Sequence, residues 1–485
     1  STPLYSSAAS DVYKRQTEPL SFQWYRDGKA IDGANSNYFR SVKGGSIPGN
    51  YKLIIKNEYG SVESREVQIT EGVGIEIEII ILACVFGFIM AWGIGANDVA
   101  NAFGTSVGSG AISLKTALLI ACIFEFAGAF LAGGEVTDTI RKGIIDSDQF
   151  TNNSDVLVFG MMSALLSAGI WLFVASALGW PVSTTHSIIG AIIGFTAVGL
   201  SFDAVNWQRV SEIGTTWILS PVFSALVAFV LFKSIRFLIL DSKDPFSNTM
   251  KFSPIYLFFM GFVIAMLTFT KGLKHVGLDF TFYEAIIYSS LVGLVIVFAG
   301  ILLLRSNKPG KDENMSIESF FGMLVIFTAC SIAFAHGSND VANAVGPLAA
   351  VINTVSYNSS VDSQTAVTTG VLLLGSVGIV IGLITFGYRV IGTVGKGITK
   401  ITPSSAFAAN LATAFVVILS SGYGFPVSTT HTLIGAVIGV GLVNSSKSLS
   451  WGKVGQIFSG WIITIPIGAI LSILIFLVFK AIYSF

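Results

Sequence analysis

Charge is scarce in this chain: Asp, Glu, Lys and Arg supply 12% of its 485 residues, about half the share usual in a soluble domain. The few charges also cancel, with 28 Lys and Arg against 28 Asp and Glu, so no basic face marks a nucleic-acid partner. Cysteine is nearly absent. Cys84, Cys122 and Cys330 are odd in number, lie in apolar stretches and form no CxxC pair; they read as small buried hydrophobes, which argues against a disulfide framework or a metal site. What fills the chain is apolar: 52% of residues are hydrophobic and the mean hydropathy is +0.74. Such a chain belongs in a bilayer, as a multi-pass protein of the cell (plasma or inner) membrane.

The composition changes near Gly72. Upstream, SFQWYRDGKAI and NYKLIIKNEYGSVESREVQIT are short alternating stretches set off by Gly, Pro and Asn, the pattern of small β-strands. Residues 19–72 resemble the second half of an immunoglobulin-like domain, with Trp24 as its core tryptophan, Tyr51 as its corner tyrosine and Leu53 where many members carry cysteine. The strands that should cover Trp24 are missing, so this half sandwich is not expected to fold alone. Residues 1–18 fit neither part and read as a non-native or disordered leader. Residues 1–72 are therefore expected to be a fusion, with a native extracellular adhesion module as the alternative.

From residue 75 onward, runs long enough for a hydrocarbon core of ~30 Å occupy 75–96, 112–133, 156–178, 182–200, 212–240, 254–272, 284–304, 320–338, 366–387, 403–422, 427–444 and 455–483. An all-α polytopic membrane fold of about twelve segments follows, with a small β-rich start. The segments after Pro181 and Pro426 are short and rich in Gly, as re-entrant helices are. Charges gather at Arg141 and Lys142, Lys243 to Lys251, Arg305 to Glu318 and Lys396 to Lys400. They fall on both parities of the count, so the positive-inside rule leaves orientation open. Two sequons, at Asn152 and Asn358, read as chance occurrences in polar loops.

The chain repeats itself. GANDVANAFG at 95–104 returns as GSNDVANAVG at 337–346, and GWPVSTTHSIIGAIIG at 179–194 returns as GFPVSTTHTLIGAVIG at 424–439. The offsets are 242 and 245 residues, so residues 73–240 and 319–485 are copies and 241–318 are inserted helices and linker. Five segments in the first half and two in the insertion would enter the second half from the opposite side. Inverted repeats of that kind place like elements face to face near the midplane, where secondary transporters hold substrate by discontinuous helices.

On a helix, Asn97, Asn101, Thr105 and Asp98 fall at about 0°, 40°, 80° and 100°, on one polar face. Asn339, Asn343 and Asp340 repeat it, with Pro347 in place of the threonine. A carboxylate in hydrocarbon costs at least ~2.5 kcal/mol, so Asp98 and Asp340 are expected to face a cavity or a cation. PVSTTH reads as a helix start, whose free N–H groups attract an anion without a lysine. Ser183, Thr184, Thr185, Ser428, Thr429 and Thr430 can donate hydroxyls to its oxygens, and Asn97 and Asn339 their amides. At least one hydroxyl per motif is expected only to cap. His186 and His431 read as helix-end hydrogen-bonding residues, since no ligand cluster accompanies them. An anion site that contains two aspartates needs Na⁺ or protons beside it, which makes loading of ion and anion interdependent. A protonated phosphate can donate to a carboxylate, whereas sulfate meets an unanswered acceptor.

GANDVANAFGTSVGSGAIS, IFEFAGAFLAGGEVTDTIRKGI, GSNDVANAVGPLAA and the paired PVSTTH segments resemble the PiT family of inorganic phosphate transporters over about residues 75–485. The resemblance implies cation-coupled uptake of inorganic phosphate, a site between the two halves and a homodimer in the lipid bilayer, with Na⁺ or H⁺ as coupling ion and no other cofactor. It implies that Asp98 and Asp340 serve cation and substrate, that Asn101 and Asn343 lie close to the ions, and that the STT triplets line the phosphate. Glu125 matches an acidic residue of the family implicated in transport, and joins the cation-coupling set. GVLLLGSVGIV, at the corresponding place in the second half, has no acid. Other readings are a permease for sulfate or another oxyanion, and a receptor or adhesin working through residues 1–72. An enzyme is not expected: an aspartyl protease dyad has no use for hydroxyl-rich helix starts, and a Ser-His hydrolase would lack its elbow and third member.

Overall fold

The computed structural model describes residues 20–31, 34–36, 49–57, 60–69, 73–133, 150, 153–272, 280–306, 313–357, 369–422 and 427–483. The expected leader 1–18, Arg141 and Lys142, Asn152, Asn358 and Pro426 lie outside them. The chain divides into two compact units, Ser1–Ala83 with Ile352–Ser363, and Cys84–Val351 with Gln364–Phe485.

The first unit carries one antiparallel sheet of β1 (Ser21–Arg26), β2 (Lys29–Ala30), β3 (Gly49–Asn57), β4 (Gly60–Glu63) and β5 (Val67–Ile69). Its strands run in the order β2-β1-β3-β4, with β5 also on β3. Asp27 and Gly28 turn the first hairpin at φ 47° and 76°. Two positive φ values in a two-residue loop define the type I′ turn that Asp-Gly favours. Trp24 lies opposite Leu53 in the register and shares a small core with Ala34 and Ile55.

The rest of the described chain is helical, because in hydrocarbon a backbone must satisfy its own hydrogen bonds. The helices are α1 (Val73–Gly108), α2 (Leu114–Ala132), α3 (Ser154–Ala177), α4 (Thr184–Gly199), α5 (Trp207–Ile235), α6 (Pro245–Leu267), α7 (Phe282–Ser306), α8 (Glu313–Asp340), α9 (Ala342–Tyr357), α10 (Thr369–Gly397), α11 (Pro403–Gly422), α12 (Thr429–Asn444) and α13 (Trp451–Tyr483). Among the described residues, ten apolar stretches are long enough to cross a membrane, α8 and α9 counting as one, and α4 and α12 are shorter. Large apolar side chains such as Ile218, Phe298 and Ile462 point outward, as suits a lipid solvent.

Several boundaries differ from the sequence reading, among them the end of α10, which runs to Gly397 instead of 387. α1 runs on through Asn97 and Asp98 to Gly108 instead of stopping near 96. α6 begins at Pro245 instead of 254, so most of the charged stretch 243–251 is helical. Asp244 caps it, accepting from the Ser247 amide at 2.9 Å, with Pro in the first turn. In the second half the helix is interrupted at Val341, directly after Asp340, and Pro347 lies inside α9.

The glycines of the repeated GAIIG and GAVIG runs explain how α4 and α12 are seated. A Cβ on Gly190 would lie 2.4 Å from the Ile465 carbonyl oxygen of α13, and one on Gly435 would lie 2.2 Å from that of Pro221 on α5. Small residues four apart let helix backbones touch, which is how helices associate without a hydrophobic driving force. Each short helix is thus held against a long helix of the other half.

Candidate functional site

The duplicated motifs converge in the protein interior. Asn97, Asp98 and Asn101 come from the middle of α1, Asn339 and Asp340 from the end of α8, and Asn343 from the start of α9. Thr184 and Thr185 open α4, and Thr429 and Thr430 open α12. All are buried, and Asp98 and Asp340 are each 1% exposed.

The contacts of the two asparagines that follow the aspartates, Asn101 and Asn343, run crosswise between the halves. Asn101 Nδ2 donates to Thr430 Oγ1 at 2.9 Å and to Thr429 Oγ1 at 3.2 Å. Asn343 Nδ2 reaches Thr184 Oγ1 and Thr185 Oγ1, both at 3.4 Å. Thr430 Oγ1 also donates across to Asp98 Oδ1, while Thr429 Oγ1 donates to Asp340 Oδ2 of its own half, each at 3.2 Å. Each NDVAN segment therefore meets the STT triplet of the other copy.

Ser183 and Ser428 act as N-caps. Ser183 Oγ accepts the His186 amide at 3.2 Å and Ser428 Oγ the His431 amide at 3.3 Å, which leaves each hydroxyl hydrogen to donate elsewhere. Asn97 is a clamp: its amide donates to the Trp180 carbonyl at 2.9 Å and Ser176 Oγ at 3.2 Å, and its Oδ1 accepts the Val182 amide at 3.1 Å. Its amide hydrogens are spent on the end of α3 and on the turn that enters α4, so Asn97 holds the motif in place rather than offering a free donor. Its counterpart Asn339 donates to Asp340 Oδ1 at 3.2 Å. Thr105 is drawn away to Asn410 at 2.5 Å, in a separate polar group with Ser106 and Thr328.

Glu125, on α2, does not meet the hydroxyls. It meets His336, a residue the sequence reading passed over. His336 Nδ1 lies 2.6 Å from Glu125 Oε2, and Nε2 lies 2.8 Å from Asp340 Oδ2 and 3.5 Å from Asp98 Oδ2. Ile94 stands at the equivalent place in the first copy, so a search for repeated residues cannot find His336. The available signal was its spacing, four residues before Asp340 on one helical face. His186 and His431 lie behind the threonines, with ring centroids 4.4 Å apart; His186 packs on Trp217 and His431 stacks on Trp461.

The cluster holds unanswered polar atoms. Asp98 Oδ2, Asn101 Oδ1 and Glu125 Oε1 are buried without a hydrogen-bond partner. Buried acceptors left alone cost about 1 to 3 kcal/mol each, more when charged. Asp98, His336 and Asp340 offer ligand atoms within 4.8 Å of one another, the only such group among the described residues. Carboxylate and amide oxygens are the donors a hard cation takes.

The profile of the phosphate transporter family matches residues 94–472. A Haemophilus influenzae protein named "Putative phosphate permease" is 46% identical over 407 residues, covering 83% of this chain and 97% of that protein. "Inorganic phosphate transporter 2-1, chloroplastic" of Arabidopsis thaliana is 38% identical over 427 residues, covering 82% of this chain and 72% of its own length. The solved structure titled "The sodium-dependent phosphate transporter" superposes with a TM-score of 0.77 at 37% identity, over 84% of this chain and 100% of that one. With NDVAN and STT segments brought together in pairs among membrane-spanning helices, the chain belongs to the phosphate transporter family and is a multi-pass integral membrane protein.

Proposed function

We propose that this protein takes up inorganic phosphate by symport with Na⁺, through alternating access around one site built from two inverted repeats, and that it works as a homodimer. The observation that carries the reading is the crosswise contact of Asn101 with Thr429 and Thr430 and of Asn343 with Thr184 and Thr185. One site made of equivalent halves is what a transporter with inverted repeats needs.

In this reading the first turns of α4 and α12 present N–H groups and hydroxyls to the phosphate oxygens. Thr184, Thr185, Thr429 and Thr430 line it, Ser183 and Ser428 cap and donate, Asn339 contributes its amide, and Asn97 acts by fixing the turn before α4. Asp98 and Asp340 hold the cations, with Asn101 and Asn343 beside them. Their negative charge repels phosphate until cations are bound, so neither solute loads well alone. The aspartates also favour a protonated phosphate over sulfate. The likeness to a solved sodium-dependent phosphate transporter supports Na⁺ over H⁺.

The test is radiolabelled phosphate uptake into proteoliposomes of residues 73–485, under an imposed Na⁺ gradient or a pH gradient. Uptake driven by Na⁺ alone is expected. Uptake driven only by protons would replace Na⁺ with H⁺, preference for sulfate would make the protein another oxyanion permease, and loss of uptake on removing residues 1–72 would give that segment a working role.

A further inference from the structure

We propose that Glu125 is a positioning residue that acts on the cation-binding aspartates through His336, and is not itself a ligand of the coupling ion. The proposal rests on the reading that Asp98 and Asp340 hold that ion.

Glu125 stands one ring behind the aspartates. Its Oε2 is 2.6 Å from His336 Nδ1, while the opposite nitrogen of the ring is 2.8 Å from Asp340 and 3.5 Å from Asp98. The compact group of possible ligands contains Asp98, His336 and Asp340 but not Glu125. Both ring nitrogens thus face carboxylate oxygens, so each short contact contains a hydrogen, carried by the ring or by the acid. A carboxylate that grips one nitrogen of a histidine fixes which way the other nitrogen points, the arrangement found behind metal-ligating histidines.

The backbone holds this geometry firmly. A Cβ on Gly128 would lie 2.1 Å from the Phe334 carbonyl oxygen, and one on Gly337 would lie 2.2 Å from that of Glu125. α2 and α8 therefore touch backbone to backbone directly beside the pair, which fixes the distance between the two Cα atoms that carry it. Glu125 and His336 are both fully buried.

The duplication gives independent support. The first copy has Ile94 where the second has His336, and the second copy has the acid-free GVLLLGSVGIV where the first has Glu125. Both members of the pair are missing from the mirror position together. An acid that bound an ion directly would have no reason to be lost along with a histidine; an acid whose only task is to hold that histidine would.

The test is a double-mutant cycle in proteoliposomes, read as the half-saturating Na⁺ concentration for phosphate uptake. Glu125→Gln is expected to raise it about 10- to 100-fold, with a smaller change in half-saturating phosphate at saturating Na⁺. Glutamine at 336 sets its amide where Nε2 was, and asparagine where Nδ1 was, so His336→Gln should stay closer to the native protein than His336→Asn. Adding Glu125→Gln to His336→Gln should cost nothing further, since no ring remains to hold. Losses that multiply would show Glu125 acting on the ion directly and overturn the proposal. Should Glu125→Gln fail to fold, the two His336 variants decide alone: Asn equal to or better than Gln overturns it. The native protein is measured alongside; if protons drive its uptake, the sodium reading falls and the same cycle is read on the half-saturating proton concentration, while a native protein driven by neither gradient sinks both.

Discussion

Asn101 donates to the Thr430 hydroxyl at 2.9 Å, and so joins the first motif of one half to the second motif of the other. Asn343 makes the reciprocal contacts to Thr184 and Thr185, 3.4 Å each. Two amides therefore orient the four threonines assigned to the anion. Replacing either asparagine by alanine removes about 1 kcal/mol of hydrogen bonding per contact and frees buried hydroxyls. Asn101→Ala and Asn343→Ala are each expected to weaken half-saturation for phosphate by roughly tenfold, at 1.4 kcal/mol per factor of ten. Uptake kinetics unchanged in both would separate these amides from the site.

Asp98→Asn and Asp340→Asn are expected to abolish ion-driven uptake while the protein still inserts and elutes as a folded species. Each aspartate is buried, and Asp98 Oδ2 has no hydrogen-bond partner to occupy it. Normal gradient-driven transport by both variants would remove the carboxylates from the coupling step.

Ser183 and Ser428 have two tasks that substitution can part. As N-caps they are worth about 1 kcal/mol against alanine and only a few tenths against glycine. Ser183→Ala should lower the melting temperature more than Ser183→Gly, while both weaken phosphate half-saturation more than that of the cation. The opposite ordering of anion and cation effects would mean that the NDVAN and STT roles are exchanged.

Gly435→Ala places a Cβ 2.2 Å from the Pro221 carbonyl oxygen, whereas Gly392 has nothing within 4 Å of the same addition. Overpacking at 435 is expected to cost about 1 to 3 kcal/mol. Gly392→Ala should be neutral or stabilising by up to ~1 kcal/mol from helix propensity. Thermal unfolding in detergent, with both variants melting alike, would contradict the close backbone contact of α5 and α12.

Much of the site was legible because it is written twice. The repeated NDVAN and PVSTTH strings identify the carboxylates, amides and hydroxyls that the fold assembles, and the short Gly-rich segments mark α4 and α12 as too short to cross like the rest. What stayed hidden has no second copy or depends on distant partners. His336 is matched by Ile94, so repetition gives no hint of it. Asn97 is spelled like Asn339, and only the chain returning at Trp180 and Val182 turns it into a clamp. Glu125 shows itself in the sequence as an isolated acid, and only the packing of α2 on α8 supplies the ring it faces.

Pro347 stands within α9 where α1 has Thr105. A proline brings no N–H to the carbonyl four residues before it, which belongs to Asn343; in α1 the Thr105 amide is there for the carbonyl of Asn101. One half of the molecule thus lacks, at this carbonyl, the main-chain donor that the other half has in place. Two segments spelled with the same letters therefore offer unequal main-chain oxygens, and the two halves of the proposed site are not chemically equivalent.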